Sequence, residues 1–208
     1  MCIRDRYLGM FKNLPFGVKI VLLLLLYIAV FIIEYWLFSF TLNQEEPSLL
    51  SAAVLTFLQC WNLMLVGFLF FQTFKYVRFP KIFYQALPFE TPAYFKWIGV
   101  DLFRQVLVNS FFRRLNNRVY LKNRGEDYFR IFHEETKQSE TSHWFSLLAT
   151  LIPQLIYLVE GMSANFIWLT VWSVIFNVYP MLLQRKNRFK MESKYPRLFG
   201  KDNSESSS

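Results

Sequence analysis

The chain has two cysteines in 208 residues, Cys2 at the extreme N-terminus and Cys60 inside an apolar run. Neither a disulfide framework nor a thiolate metal site can be built from that pair, and it does not reveal the redox compartment. The sequence holds no G-x-S-x-G elbow, no P-loop, no dinucleotide fingerprint and no internal repeat, so the standard nucleophile-elbow and nucleotide-cradle chemistries have no carrier. No A-x-A-like exit follows the first apolar run, which is also too long for a signal-peptide core. It reads as a retained span. A di-iron carboxylate bundle would need a second E-x-x-H beside Glu140 and His143, with further glutamates on partner helices. Only Glu34, deep in the first apolar run, is on offer, so no metal is expected.

What the chain has in abundance is apolar and aromatic surface. Hydrophobic residues make up 54% and aromatics 20% of it, which is rich for a soluble domain and points to a membrane. The net charge of +8 taken alone would fit nucleic acid, but long charge-poor runs of Leu, Ile, Val and Phe exclude a basic nucleic-acid domain. An anionic lipid surface is the partner that fits. The first residues, "MCIRDR", read like a translated sequencing adapter, so residues 1–9 are set aside as non-native and Met10 is taken as the start.

A helical span needs about 20 mostly apolar residues. Phe16 to Phe40 and Ser48 to Phe74 meet that plainly, and Trp144 to Glu160 and Asn165 to Gln184 follow. The fold class predicted is all-α: one multi-pass membrane domain over residues 10–200, four transmembrane helices in two hairpins, and a tail at 201–208 with nothing to bury. The hairpin loops, Thr41 to Ser48 and Glu160 to Asn165, hold no Lys or Arg. Every basic residue lies in the two tails or the middle segment, so both termini and that segment are expected in the cytoplasm.

The middle segment, residues 75–143, is too long to be a mere connection. Its start, punctuated by Pro80, Pro88 and Pro92, should run irregularly along the headgroups. From Ala93 to Leu115, Phe95, Ile98, Leu102 and Val106 recur at helical spacing among Arg104, Arg113 and Arg114, as in an interfacial amphipathic helix. A helix packed on its neighbours would give the same pattern. "NNRVYLKNRGED" reads as a turn-rich loop broken at Gly125.

Two constellations could carry chemistry. From Glu126 or Asp127 a helix is expected, with acidic residues favoured in its first turn by the helix dipole. On it, Glu135, His143 and Glu140 fall within an arc of about 140°, and Glu140 and His143 can touch at i, i+3. A histidine flanked by carboxylates suits a general base that takes a proton from a hydroxyl. Juxtamembrane charges that only sit in headgroup water give the same local pattern. The second constellation runs from Asn177 to Lys190. If its helix continues past Pro180, Asn177, Gln184 and Arg188 share a face, Arg185 and Arg188 can hold phosphates, and Gln184 and Asn187 can donate hydrogen bonds. A positive-inside anchor with a kink-stabilising Asn is the alternative. Glu34 could pair with an Arg, line an acceptor pocket or reach the outer surface.

The stretches "ETKQSETSHW" (Glu135 to Trp144) and "NVYPMLLQRKNR" (Asn177 to Arg188), in that order and each at the cytoplasmic end of a span, resemble the small integral-membrane family of glycosyl-4,4'-diaponeurosporenoate acyltransferases. The resemblance is clear from about Arg130 to Arg197, weaker from Phe83 to Asn123, and absent from the first hairpin. Near Val100 to Leu107 the family usually has a Trp-Lys pair where this chain has Phe103 and Arg104. The resemblance implies transfer of a fatty acyl group from a thioester donor such as acyl-CoA, with no cofactor, to a sugar hydroxyl on a glycosylated carotenoid or similar membrane glycolipid. In that chemistry His143 would be the general base, Glu140 or Glu135 would orient it, and Arg185 and Arg188 would hold donor phosphates. The rival expectations are a non-catalytic membrane scaffold or lipid-binding protein, and an acyltransferase for another hydroxyl.

Overall fold

A computed structural model describes residues 15–44, 48–73, 80–85, 87–110 and 126–199. The expectations for residues 1–9, for most of the turn-rich loop before Asp127 and for the tail at 201–208 lie outside them. Among the described residues all regular structure is helical: α1 (Phe16–Leu42), α2 (Leu49–Thr73), α3 (Lys81–Tyr84), α4 (Pro92–Trp97), α5 (Val100–Asn109), α6 (Glu126–Val159), α7 (Ser163–Ser173), a π-turn (Val174–Val178), α8 (Tyr179–Lys194) and α9 (Pro196–Phe199).

Four helical stretches are long and apolar enough to cross a bilayer: Ile20–Leu42, Leu49–Leu69, Tyr128–Val159 and Ser163–Lys194. Leu24, Leu25, Phe31, Tyr35 and Trp36 of α1 all point outward, the arrangement lipid permits and water does not. With 34 residues, α6 extends about 51 Å at about 1.5 Å per residue, against a hydrocarbon thickness of about 30 Å. Its charged first half therefore exceeds what the apolar layer can hold.

The chain divides into two compact units. The first comprises α1, α2, α6 from Thr141 onward, α7 and the chain as far as Met181. Several of its buried polar side chains bond one another, as a membrane interior favours. Glu34 accepts from Gln59 Nε2 at 3.3 Å and from Asn62 Nδ2 at 3.1 Å, so two carboxamides take the place of the Arg partner considered above. Asn62 also donates to the Val30 carbonyl at 3.0 Å, and the Tyr157 hydroxyl donates to Gln59 Oε1 at 2.6 Å. These bonds fasten α1, α2 and α6 together where no hydrophobic effect drives helices to associate. On the neighbouring face the Trp172 indole donates to the Ala53 carbonyl at 3.0 Å, and Phe57 meets Trp172 and Phe176 edge-on at 5.4 and 5.6 Å. Gly67 of α2 lies directly against Ser142 and Ser146 of α6, an approach that only a residue without Cβ allows.

The second unit comprises Phe79–Glu140 and the chain from Leu182. Here the single amphipathic helix expected from Ala93 onward is corrected: α4 ends at Trp97 and α5 begins at Val100, because Gly99 takes a left-handed conformation with φ +79°. The break separates the expected stripe. Phe95 turns inward, 6.5 Å from Phe189, while Leu102 and Val106 face outward. The Thr91 hydroxyl caps α4 by accepting from the Tyr94 N–H, with Pro92 in the first turn where its missing N–H costs nothing. Phe129, Phe132 and Met191 form the core of this unit with Tyr195 and Phe199 around them.

The Gly67 contact yields a direct test. A Cβ at position 67 would fall inside the van der Waals envelope of both Ser146 Oγ and the Ser142 carbonyl. Gly67→Ala is expected to lower stability by about 1–3 kcal/mol, read as a lower melting temperature in detergent. Adding Ser146→Ala should recover only part of the loss, since the backbone carbonyl stays.

Candidate active site

In the second unit, Arg185 of α8 projects into the turn before α4 and onto α6. Its Nε donates to Glu90 Oε1 at 2.5 Å, and Nη2 donates to Glu90 Oε2 and the Gln85 carbonyl, each at 2.9 Å. Nη1 donates to Glu140 Oε1 at 2.9 Å and to the Phe83 carbonyl at 3.1 Å. A guanidinium has five N–H groups, and these bonds occupy all of its nitrogens. Glu90 is itself held in place by the Leu87 N–H at 2.8 Å. Phe83, Gln85, Glu90 and Glu140 thus surround one cation, with backbone carbonyls and carboxylates as the acceptors.

Arg188, one helical turn further along α8, is only 2% exposed. Its Nη2 donates to the second oxygen of Glu140, and its guanidinium carbon lies 5.6 Å from the centre of the Tyr84 ring. Its Nε and Nη1 are buried with no acceptor among the described residues. Glu140 is fully buried and spends one oxygen on each arginine. Two carboxylates and two guanidinium groups balance, so the buried cluster carries no net charge. On the same helix Lys186 pairs with Asp101 in the first turn of α5, nearer the surface. The hydrogen bond from Lys186 holds the Asp101 carboxyl below the usual aspartate range.

His143 and Asn177 belong to the first unit. Pro180 has no N–H, so in a regular helix the carbonyl of Phe176 would lose its partner. The sequence instead passes through the π-turn at Val174–Val178, and the Phe176 carbonyl and the Asn177 side chain face the His143 imidazole. Asn177 is fully buried, with Nδ2 4.0 Å from Cys60 Sγ. The helix does continue past Pro180, to Lys194.

Of the residues singled out in the sequence, the structure joins Glu140 with Arg185 and Arg188, and His143 with Asn177. Glu135, Gln184 and Asn187 are half-buried on the same two helices. His133, the other imidazole, is bonded to Glu192 at 2.8 Å and stacked on Phe199. Glu90 and Tyr84 were missed. The only signal for Glu90 was a glutamate lodged between Pro88 and Pro92, with no helical neighbour to answer its charge. Among the described residues no three His, Cys, Asp or Glu side chains are placed to hold a metal ion.

Two carboxylate substitutions should separate the deep cluster from its surface neighbour. Glu140→Gln leaves buried guanidinium charge uncompensated and is expected to cost about 3–5 kcal/mol, whereas Asp101→Asn should cost no more than about 1 kcal/mol. Because the Asp101 carboxyl titrates below its ordinary value of about 3.9, its contribution is present above that range and lost as pH falls through the folded value. Melting curves of wild type and Asp101→Asn should therefore differ at neutral pH and converge in acid.

A family model described as glycosyl-4,4'-diaponeurosporenoate acyltransferase matches residues 80–197, more than half of the chain and the part that holds both constellations. No curated protein and no solved structure matches. With helical spans of the expected kind and a family match that takes in Glu90, Glu140, His143, Arg185 and Arg188, the chain belongs to the glycosyl-4,4'-diaponeurosporenoate acyltransferase family.

Proposed function

We propose that the protein is a membrane acyltransferase that moves a fatty acyl group from a thioester donor, of the acyl-CoA kind, to a sugar hydroxyl of a glycosylated carotenoid or similar membrane glycolipid. The observation that carries this reading is the family match over residues 80–197. The placement of every Lys and Arg outside the hairpin loops supports a cell-membrane protein with both termini in the cytoplasm, where a thioester donor is found. The outward Leu102 and Val106, with Trp97 85% exposed beside Lys96, suit a segment lying against headgroups.

The chemistry is a balanced acyl exchange. The sugar hydroxyl oxygen attacks the thioester carbon while His143 removes its proton, giving a tetrahedral intermediate and an imidazolium. The carbon–sulfur bond then breaks, and the imidazolium returns the proton to the departing thiolate, leaving an ester and a free thiol. For this the imidazole must be neutral, with one nitrogen bare. The imidazole faces the Phe176 backbone and the Asn177 side chain, and a ring N–H given to the backbone would leave the nitrogen on the Asn177 side to take the proton. Orientation of the base thus falls to Phe176 and Asn177, and Glu140 serves as the positioning carboxylate for the arginines. Gln184 and Asn187 are kept as donor contacts. Arg185, whose nitrogens are all engaged within the protein, is given a positioning role, and Arg188 is the arginine that meets the donor.

A closed, charge-neutral ion cluster would also suit a non-catalytic lipid-binding protein, and one experiment separates the two. Expression in a host that makes a glycosylated carotenoid, followed by mass analysis of pigments, is expected to yield the acylated product. His143→Ala should lower its formation at least about a hundredfold at equal protein level. Full retention in that variant would remove His143 as the base, and no product from wild type would favour the lipid-binding reading.

A further inference from the structure

We infer that the unpartnered Nε and Nη1 donors of Arg188 are the binding site for the acyl carbonyl oxygen of the donor, and hold the oxyanion that forms there, instead of holding a phosphate. The inference rests on the acyl-transfer reading and specifies which atom of the donor this arginine meets.

Three observations select a carbonyl. The first is charge. Arg185 and Arg188 are already matched by Glu90 and Glu140, so a phosphate entering here would bring uncompensated negative charge next to two buried carboxylates. A neutral oxygen brings none. The second is burial. At 2% exposure Arg188 lies where an ion would be stripped of its water, at a cost far above that of desolvating a carbonyl on a fatty chain. The third is donor supply. Nε and Nη1 of Arg188 have no acceptor among the described residues, while Nη2 is tied to Glu140 and the guanidinium plane lies near the Tyr84 ring. Buried N–H donors held in a fixed orientation are what stabilise charge that develops only during reaction.

The electrostatics follow the reaction coordinate. In the ground state the carbonyl oxygen is only partly negative and gains one ordinary hydrogen bond. As the hydroxyl adds to the carbonyl carbon, the π electrons move onto that oxygen, and Arg188 meets a negative charge that lasts only until the intermediate collapses, unlike the standing charge of a bound phosphate. Collapse of the intermediate returns the electrons and expels the thiolate. Arg188 would thus act mainly on the chemical step, whereas an arginine that holds phosphate acts on donor binding before and during the reaction alike.

Two donor analogues distinguish these cases in purified wild-type protein in nanodiscs. In one, a methylene replaces the thioester sulfur and the ketone remains. In the other, a methylene replaces the carbonyl and the thioether remains. Both keep every phosphate and the same alkyl chain. The ketone is expected to bind at least about tenfold more tightly, the scale of one hydrogen bond to a charged donor. Arg188→Lys, which keeps the charge that Glu140 needs but loses the planar donors, should abolish that difference and leave the affinity for free CoA within about twofold. Its turnover should fall about a hundredfold, and its KM should rise by about the tenfold that separates the two analogues. If the lysine variant does not accumulate, Glu140→Gln with Arg188→Gln removes one buried charge of each sign and should show the same loss of discrimination. Equal binding of the two analogues by wild type overturns the inference and leaves acyl transfer standing. So does a lysine variant that weakens free CoA as much as it weakens the ketone, since that marks a phosphate contact. Binding of neither analogue by wild type ends the thioester-donor reading, and this inference with it.

Discussion

The second unit depends on a single carboxylate. Glu140 is fully buried and gives one oxygen to each of two arginines that are three residues apart on α8. Burying one such charge without partners would be prohibitive. With Glu90 closing the far side of Arg185, the four charges cancel and the cluster becomes a fixed node that sets where the 83–90 segment, α6 and α8 meet. Apart from the single turn of α3, the described chain before α4 has little regular structure of its own. It is held because its carbonyls at Phe83 and Gln85 are acceptors for the same guanidinium.

The first unit solves a different problem with side-chain hydrogen bonds. Its solvent is hydrocarbon, so association cannot rely on burying apolar surface, and lipid-facing leucines give α1 no reason to choose a partner. The Glu34–Gln59–Tyr157 chain and the Asn62 bond to Val30 supply that choice. Gly67 supplies the close approach. Backbone geometry is adjusted in the same way around Pro180, where the π-turn redistributes carbonyls that a proline would leave unanswered, and one of them faces His143.

Much of this was legible in the sequence because membranes impose simple rules. Span length and apolar content identified all four long helices, and the polarity of α6 before Glu140 marked the portion too charged for the hydrocarbon. The pattern of Glu140, Arg185 and Arg188 was visible as chemistry, but the partner of each was not. Helical spacing places Glu140 beside His143, and nothing local shows that residues 45 and 48 positions later claim its oxygens instead. Gly99 shows the opposite limit. The hydrophobic period ran straight through it, and only its left-handed backbone reveals two helices in place of one. Glu90 was hidden for a related reason, since its role comes from a contact 95 residues away.

That separation also fixes an order of events during biosynthesis. The acceptors on the 83–90 segment and Glu140 are made well before α8. At about 5–20 residues per second, the ribosome needs a few seconds more to reach Arg185 and Arg188. During that interval Glu90 and Glu140 cannot be buried as they are in the finished protein, and they must stay in water or be protonated. The second unit therefore cannot close as its first portion is made. It waits for the last long helix, so a chain that stops short of Arg188 presents the cell with exposed carboxylates.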